Sequence, residues 1–287
     1  MTDRRTRILL QTTIPPTADD WSIARFSRLG KLLRDQPAFE VVMRDRDPMG
    51  APDSILSTLD KSEFDELWLF AVDTGDGLTV EDCEAISRFR RAGKGLLVTR
   101  DHMDLGSSVC SLAGVGLAHH FHSHNLDPDE TAHQIDDPYS TNISWPNYHS
   151  GANGDFQEIE VLAPTHPLLA TRTGQLHYLP AHPHEGAVGA PAGENARIIA
   201  RGKSKVSGRP FNIAVAFEPG VSGGPAIAQS TFHHFADYNW DPRDGAPSFV
   251  DEPPGDAILR TPQAIADTQA YALNAAYWLA GRTHPSV

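Results

Sequence analysis

The run Glu66-Leu-Trp-Leu-Phe-Ala-Val72 is apolar at every position after the first and is stopped by Asp73. A strand turns alternate side chains to opposite faces, so it can be apolar on both faces only where both are covered. The run therefore predicts an interior strand of a sheet with helices packed on each side. Its neighbours agree. Arg7-Ile-Leu-Leu-Gln-Thr-Thr13 is a second short apolar run, closed by Pro15-Pro16. Asp20 then stands as an N-cap before Trp21, Ile23, Ala24, Phe26, Leu29, Leu32 and Leu33, a helical spacing that Pro37 ends. Phe39 to Met43 and Gly95 to Thr99 read as further strands. Thr79 caps a second helix with Asp82 three residues on, Cys83, Ile86 and Phe89 form its apolar stripe, and Gly93 stops it. Strand, helix, strand, strand, helix, strand at these spacings predicts an α/β fold with a doubly wound, mainly parallel sheet and right-handed crossovers.

After Arg100 the texture changes. Residues 102–155 are rich in His, Asp, Asn and Ser and read as a long functional insertion; a second Pro/Asp/Gly-rich excursion covers 237–256. Between them lie short strand-like segments at 156–162, 176–179, 196–200, 211–217 and 225–232, and a helix closes the chain from about Thr261 to Ala280. A length of 287 residues suits one domain with these two decorations.

Charge and cysteine content narrow the function classes. The net charge of −13 repels phosphate backbones and anionic lipid, so no nucleic acid and no membrane surface is expected as a partner. No apolar run approaches the roughly 18 to 20 residues that span a bilayer. Two cysteines cannot build a disulfide framework or a four-thiolate metal site, and Cys83 reads as a small buried residue on its helix. Only Ile8-Leu9-Leu10 stands where a signal peptide needs a longer apolar stretch, so the chain reads as cytoplasmic.

Three stretches carry a family likeness. Leu78-Thr79 opening a helix after an Asp/Gly turn, Arg91-Ala-Gly-Lys-Gly-Leu-Leu-Val98, and Ala272-Leu-Asn-Ala-Ala-Tyr-Trp-Leu-Ala-Gly281 resemble the ThuA-like (trehalose-utilisation) branch of the class I glutamine amidotransferase-like fold. The resemblance implies a flavodoxin-like three-layer sandwich as a single domain over residues 1–287, and an association with sugar metabolism. True amidotransferases place a Cys at the sharp turn after the strand that here ends at Thr99. This chain reads Thr99-Arg100-Asp101-His102-Met103 there, and Cys110 lies too far along to replace the thiol. ThuA-like proteins lack that Cys as well. Ammonia release by a Cys-His-Glu triad is therefore not expected.

What remains is histidine. The chain has 14, gathered largely between His102 and His234. In an open α/β sheet, ligands bind beyond the carboxyl ends of the strands, and three clusters each follow a strand. Asp101 and His102 follow the strand ending at Thr99, His182-Pro-His184-Glu185 follows 176–179, and His233-His234 follows 225–232. An imidazole beside a carboxylate can take and return a proton at neutral pH, which makes Asp101, His102, His233 and His234 the catalytic candidates. Successive strand residues face opposite ways, so one of His233 and His234 is expected in the site. His182, His184 and Glu185 have the composition of a site for a divalent metal such as Zn, Mn, Fe or Ni, although such His pairs also occur in solvated loops. His119-His120-x-His122-x-His124 reads equally as extra ligands or as a mobile polar lid. Tyr139, Trp145, Tyr148 and His149, with Tyr238 and Asn239, mix aromatic faces and polar groups that suit a sugar ring, or that anchor long loops.

These residues support an enzyme that acts on a small polar, carbohydrate-derived substrate by His/Asp proton transfer, with or without a metal, as an isomerase, lyase or hydrolase. Two other readings compete: a catalytically silent ligand-binding domain, and an amidotransferase-like subunit of a larger assembly. A small molecule is the expected partner, with self-association left open.

Overall fold

A computed structural model describes residues 4–133, 136, 140 and 142–283. Strands β1 (Thr6–Thr12), β2 (Phe39–Arg44), β3 (Glu66–Phe70), β4 (Gly95–Val98), β5 (Glu160–Val161), β6 (Ala196–Lys203), β7 (Pro210–Phe217) and β8 (Ala226–Gln229) form one sheet in the order β2-β1-β3-β4-β8-β7-β6-β5. The pairings from β2 across to β8 are parallel, whereas β8 with β7, β7 with β6, and β6 with β5 are antiparallel. The sheet is thus mixed, a parallel part as expected extended by an antiparallel edge. A parallel neighbour needs a crossover of a dozen residues or more, and the links 204–209 and 218–225 are too short to be anything but hairpin turns.

Alternation along the strands builds the two cores. Ile8 and Leu10 face one layer with Phe26, Trp68, Phe70 and Tyr271, while Leu9 faces the other with Leu67, Leu69, Ile86 and Phe89. The first layer holds α1 (Ser27–Arg34) and α3 (Pro262–Leu279), and the second holds α2 (Val80–Arg91). Helix α2 begins with the expected capping box, Thr79 accepting from the Asp82 N–H while the Asp82 carboxylate accepts from the Thr79 N–H. Helix α1 departs from expectation. Asp20 does not cap it. Asp237, 210 positions away, accepts from the N–H and hydroxyl of Ser27 and from the N–H of Arg28, so the second excursion is tied to the start of this helix. The 156–162 segment also divides, Phe156–Glu158 pairing with Tyr178–Pro180 in a separate two-stranded sheet.

Two features away from the cavity carry predictions. Glu66 is wholly buried at the start of β3, and its Oε2 accepts from Trp68 Nε1 at 2.9 Å. Burial pushes its carboxyl well above the ordinary value of 4.5, against the hydrogen bond from Trp68. A group raised in this way contributes its full stability below the unfolded pKa and loses it as pH rises through the folded one. Glu66→Gln should therefore be more stable than the parent at pH 7, by about 1 kcal/mol or more, with a flatter stability profile above pH 5. Denaturant midpoints of both proteins at pH 4.5 and 7 check this; a variant less stable at pH 7 would refute it.

The second feature is a correction. Cys83 is not a free apolar residue but is bonded to Cys110, 27 positions on, so α2 is joined to the start of the first insertion. Disulfides are uncommon in the cytosol, so the bond sits awkwardly with the cytoplasmic reading. No helix among the described residues is long and apolar enough to cross a membrane. Closing a loop of this length constrains the unfolded chain, and Cys110→Ser should cost about 3 kcal/mol under oxidising conditions. Unfolding with and without reductant measures it, and a parent indifferent to reductant would show that the bond does not form.

Candidate active site

Thr99 and Arg100 carry the chain out of β4, and Asp101 is delivered to the carboxyl end of that parallel strand, where an open α/β sheet leaves its crevice. Arg100 is fully buried and organises the turn. Its guanidinium donates to the carbonyls of Asp101, Met103 and His120 and lies 4.1 Å over the Phe121 ring. Burial lowers its pKa to about 9 against the pull of Asp101. The side chain of Asp101 then enters a cavity of about 360 Å³ whose walls include Trp21, His102, Ile143, Asn153, His182, His184, His233, Phe249 and Glu252.

Three imidazoles surround the Asp101 carboxylate, and a fourth, His184, lies 5.3 Å from the His102 ring. His182 Nε2 lies 3.3 Å from Asp101 Oδ1, and His233 Nε2 lies 3.9 Å from Oδ2. The two rings stack at 3.6 Å, and Trp21 packs edge-on against His233. Burial pushes His182 down to about 4 and His233 well below its ordinary value, so both are neutral at pH 7. For Asp101, burial works upward, but His102 and His182 beside it hold the carboxyl well below the usual range.

His102 Nδ1 stands 3.3 Å from Asp101 Oδ2, and this ring keeps part of its surface exposed. His184 is different. Its Nδ1 faces Asn147 Oδ1 at 3.1 Å and its Nε2 faces the Glu252 carboxylate at 2.8 Å. Asn147 Nδ2 donates to the Ile143 carbonyl, which fixes the amide so that its oxygen faces the ring. His184 Nδ1 therefore donates to the amide oxygen, and its Nε2 pairs with the Glu252 carboxylate. That hydrogen bond, against burial, lowers Glu252 to about 2. Glu252 and Phe249 come from the second excursion, which reaches over the cavity. An adjoining space of about 800 Å³ shares Ile143, Phe249 and Glu252 with it and is also lined by Ser140, His149 and Pro183.

The structure thus brings Asp101, His102, His182, His184 and His233 to one cavity and leaves other candidates elsewhere. His233 and His234 sit in a tight helical turn, Phe232–Phe235, capped by Thr231 rather than on a strand. One still faces the cavity and the other does not. His234 Nδ1 pairs with Gln229 at 2.6 Å, and its Nε2 lies 3.5 Å from Glu185. Glu185 is fully buried behind the site, where Ser150, Gln157 and Ser230 donate to it; Ser150 also accepts from the His182 N–H. It braces the loop bearing His182 instead of facing Asp101.

The aromatic candidates anchor loops. Trp145 Nε1 meets Tyr148 Oη at 3.3 Å, Tyr148 stacks on Phe211 at 4.9 Å, and Tyr238 is buried in the core. Asn239 contacts His233 rather than the open cavity. His149 lines only the adjoining space, and Tyr139 lies outside the described residues. In the 119–124 cluster, His119 is buried, His120 and His122 pair with backbone carbonyls, and His124 meets Ser123. Sequence reasoning missed Trp21, Asn147, Asn153, Phe249 and Glu252, of which only Glu252 carried a signal, as an acidic residue in an excursion already suspected of function.

No model of a protein family matches the chain, and no curated protein matches it. Solved structures do. A ThuA-like protein from Parabacteroides merdae superposes with a TM-score of 0.59 at 16% identity, covering 99% of this chain and 93% of that one. The glutaminase domain of CTPS from Trypanosoma brucei, with acivicin bound, gives 0.52 at 15% identity, covering 98% and 96%. Identities this low speak for the fold alone. The chain therefore has the class I glutamine amidotransferase-like fold, in a form shared along almost its whole length with a ThuA-like protein.

Proposed function

We propose that the chain is an enzyme that acts on a small, polar, carbohydrate-derived substrate by His/Asp proton transfer, assisted by a divalent metal ion. The observation that carries this reading is a buried, ionised carboxylate whose two oxygens are ringed by imidazoles in the wall of a cavity of ligand size. His102 is the proton carrier. Its Nδ1 stands 3.3 Å from Asp101 Oδ2, which leaves Nε2 for the substrate, and the ring keeps part of its surface exposed for exchange of the proton. The metal would act as a Lewis acid on a carbonyl or hydroxyl oxygen beside it.

Asp20, Asp101 and Glu252 line the cavity in a chain of net charge −13, which favours a neutral substrate over an anionic one. The flat faces of Trp21 and Phe249 beside these carboxylates and Asn153 suit a polyhydroxylated ring. The likeness to a ThuA-like protein points the same way. Isomerisation, elimination and hydrolysis all need the proton transfer that His102 offers.

Keto-sugars, sugar lactones and disaccharides offered to the purified, metal-supplied protein should include at least one that turns over, and turnover should survive Cys110→Ser, because Cys110 lies outside the cavity wall. Tight binding of a sugar with no turnover would instead favour the silent binding domain.

A further inference from the structure

We infer that Asp101, His182 and His233 are the three protein ligands of a first-row divalent transition metal, and that Asn153 and Asn239 hold the two imidazoles in the ligating tautomer. The inference deepens the reading of the cavity as an active centre and rests on it for the use the ion would have.

One backbone carbonyl sets the orientation of both amides. A carbonyl oxygen can only accept, so the Ala181 oxygen fixes the Asn239 amide with Nδ2 toward it at 2.9 Å. The same Nδ2 donates to Asn153 Oδ1 at 2.8 Å, which fixes the second amide as well. Asn239 Oδ1 then faces His233 Nδ1 at 2.9 Å, and Asn153 Oδ1 faces His182 Nδ1 at 2.9 Å. An amide oxygen cannot donate. Both Nδ1 atoms must carry the proton, and in a neutral ring that leaves Nε2 as a bare lone pair.

Both bare nitrogens point at Asp101. One ligand atom from each of Asp101, His182 and His233 lies within 4.8 Å of the others, all three residues buried. Asp101 Oδ1 and His182 Nε2 have no hydrogen-bond partner although they are only 3.3 Å apart. Lone pairs turned toward one another out of water need a cation between them. A proton on either ring would have to be borne by one of two imidazoles stacked at 3.6 Å, whereas a metal ion satisfies all three donors together.

Donor chemistry selects the ion. Two imidazole nitrogens and one carboxylate suit Zn, Mn, Fe, Co or Ni, while Mg and Ca prefer all-oxygen shells. Three protein ligands also leave positions for water or substrate, the arrangement of a catalytic rather than a structural centre. The outward amides are the usual device by which ligating imidazoles are oriented.

The test uses the full chain stripped with a chelator, with Zn²⁺ or Mn²⁺ alone as the probe in calorimetry, and Co²⁺ absorption as a second readout. The parent should bind one ion, more tightly than it binds Mg²⁺. Asp101→Asn should remove the site, and Asn153→Ala should weaken binding by about 10- to 100-fold. Asn153→Asp keeps an oxygen acceptor for both His182 Nδ1 and Asn239 Nδ2 and should restore binding, which separates positioning from simple loss of fold. Zn²⁺ bound equally by the parent and Asp101→Asn, or equally by the parent and Asn153→Ala, would overturn the assignment. Full turnover in the stripped protein would overturn the ion and leave the enzyme standing; one tightly bound ion with no turnover on any sugar would support the site and remove the enzyme reading.

Discussion

Replacing His102 by Gln should lower kcat by about 10²- to 10⁴-fold while KM moves only a few fold. The amide keeps much of the ring's polarity and reach but cannot take and return a proton. The effect should be larger than that of any aromatic change in the cavity wall, because Trp21 and Phe249 shape the space whereas His102 stands against the Asp101 carboxylate. His234→Gln serves as the contrast. That ring pairs with Gln229 and Glu185 behind the cavity, so its loss should be felt in stability before it is felt in kcat. Steady-state kinetics on whichever sugar turns over will decide. A His102→Gln enzyme with parental kcat would remove the proton carrier from the scheme.

Arg100→Met should destabilise the protein by about 3 kcal/mol or more. The guanidinium is buried without an ion-pair partner among the described residues and holds the carbonyls of Asp101, Met103 and His120, with Ala187 at 3.4 Å. A thioether fills some of the volume but donates nothing, and each buried carbonyl left without a donor costs about 1 to 3 kcal/mol. Relief from burying a charge offsets only part of this. These carbonyls belong to the turn that presents Asp101 and to the insertion after it, so the variant should also be cut faster by protease between 103 and 133. Denaturation and a proteolysis time course measure the two effects. Loss of less than about 0.5 kcal/mol, with unchanged cleavage, would mean that the clamp is not needed.

Local signals were the legible ones. The first four strands, the capping box of Thr79 and Asp82, and the apolar stripe of α2 are written in periodicities of two and 3.6 and in residues three apart. The antiparallel edge of the sheet was not read, because apolar runs alone do not distinguish pairing direction, although the links 204–209 and 218–225 are too short for a crossover. Cap assignment for α1 failed because the acceptor, Asp237, is 210 positions away. Distance along the chain also hid the contact of Asn153 with His182, 29 positions on, whereas Asn239, only six residues from His233, was singled out for substrate rather than for the ring. Asn reads as loop chemistry, and only the folded arrangement puts its amide oxygen against an imidazole. Glu185 shows the opposite case: next to His184 it has the composition of a ligand, yet the strand-like pairing of Tyr148 with Glu185 turns its side chain into a nest of hydroxyl and amide donors.

The most direct measurement is a crystal structure of the metal-loaded His102→Gln protein soaked with a sugar that the parent turns over. The sugar should lie in the cavity between residue 102 and Trp21, with an oxygen facing the group formed by Asp101, His182 and His233. A sugar bound instead in the separate hollow of about 450 Å³ beside Cys83 and Cys110, with that cavity left to water, would contradict the account.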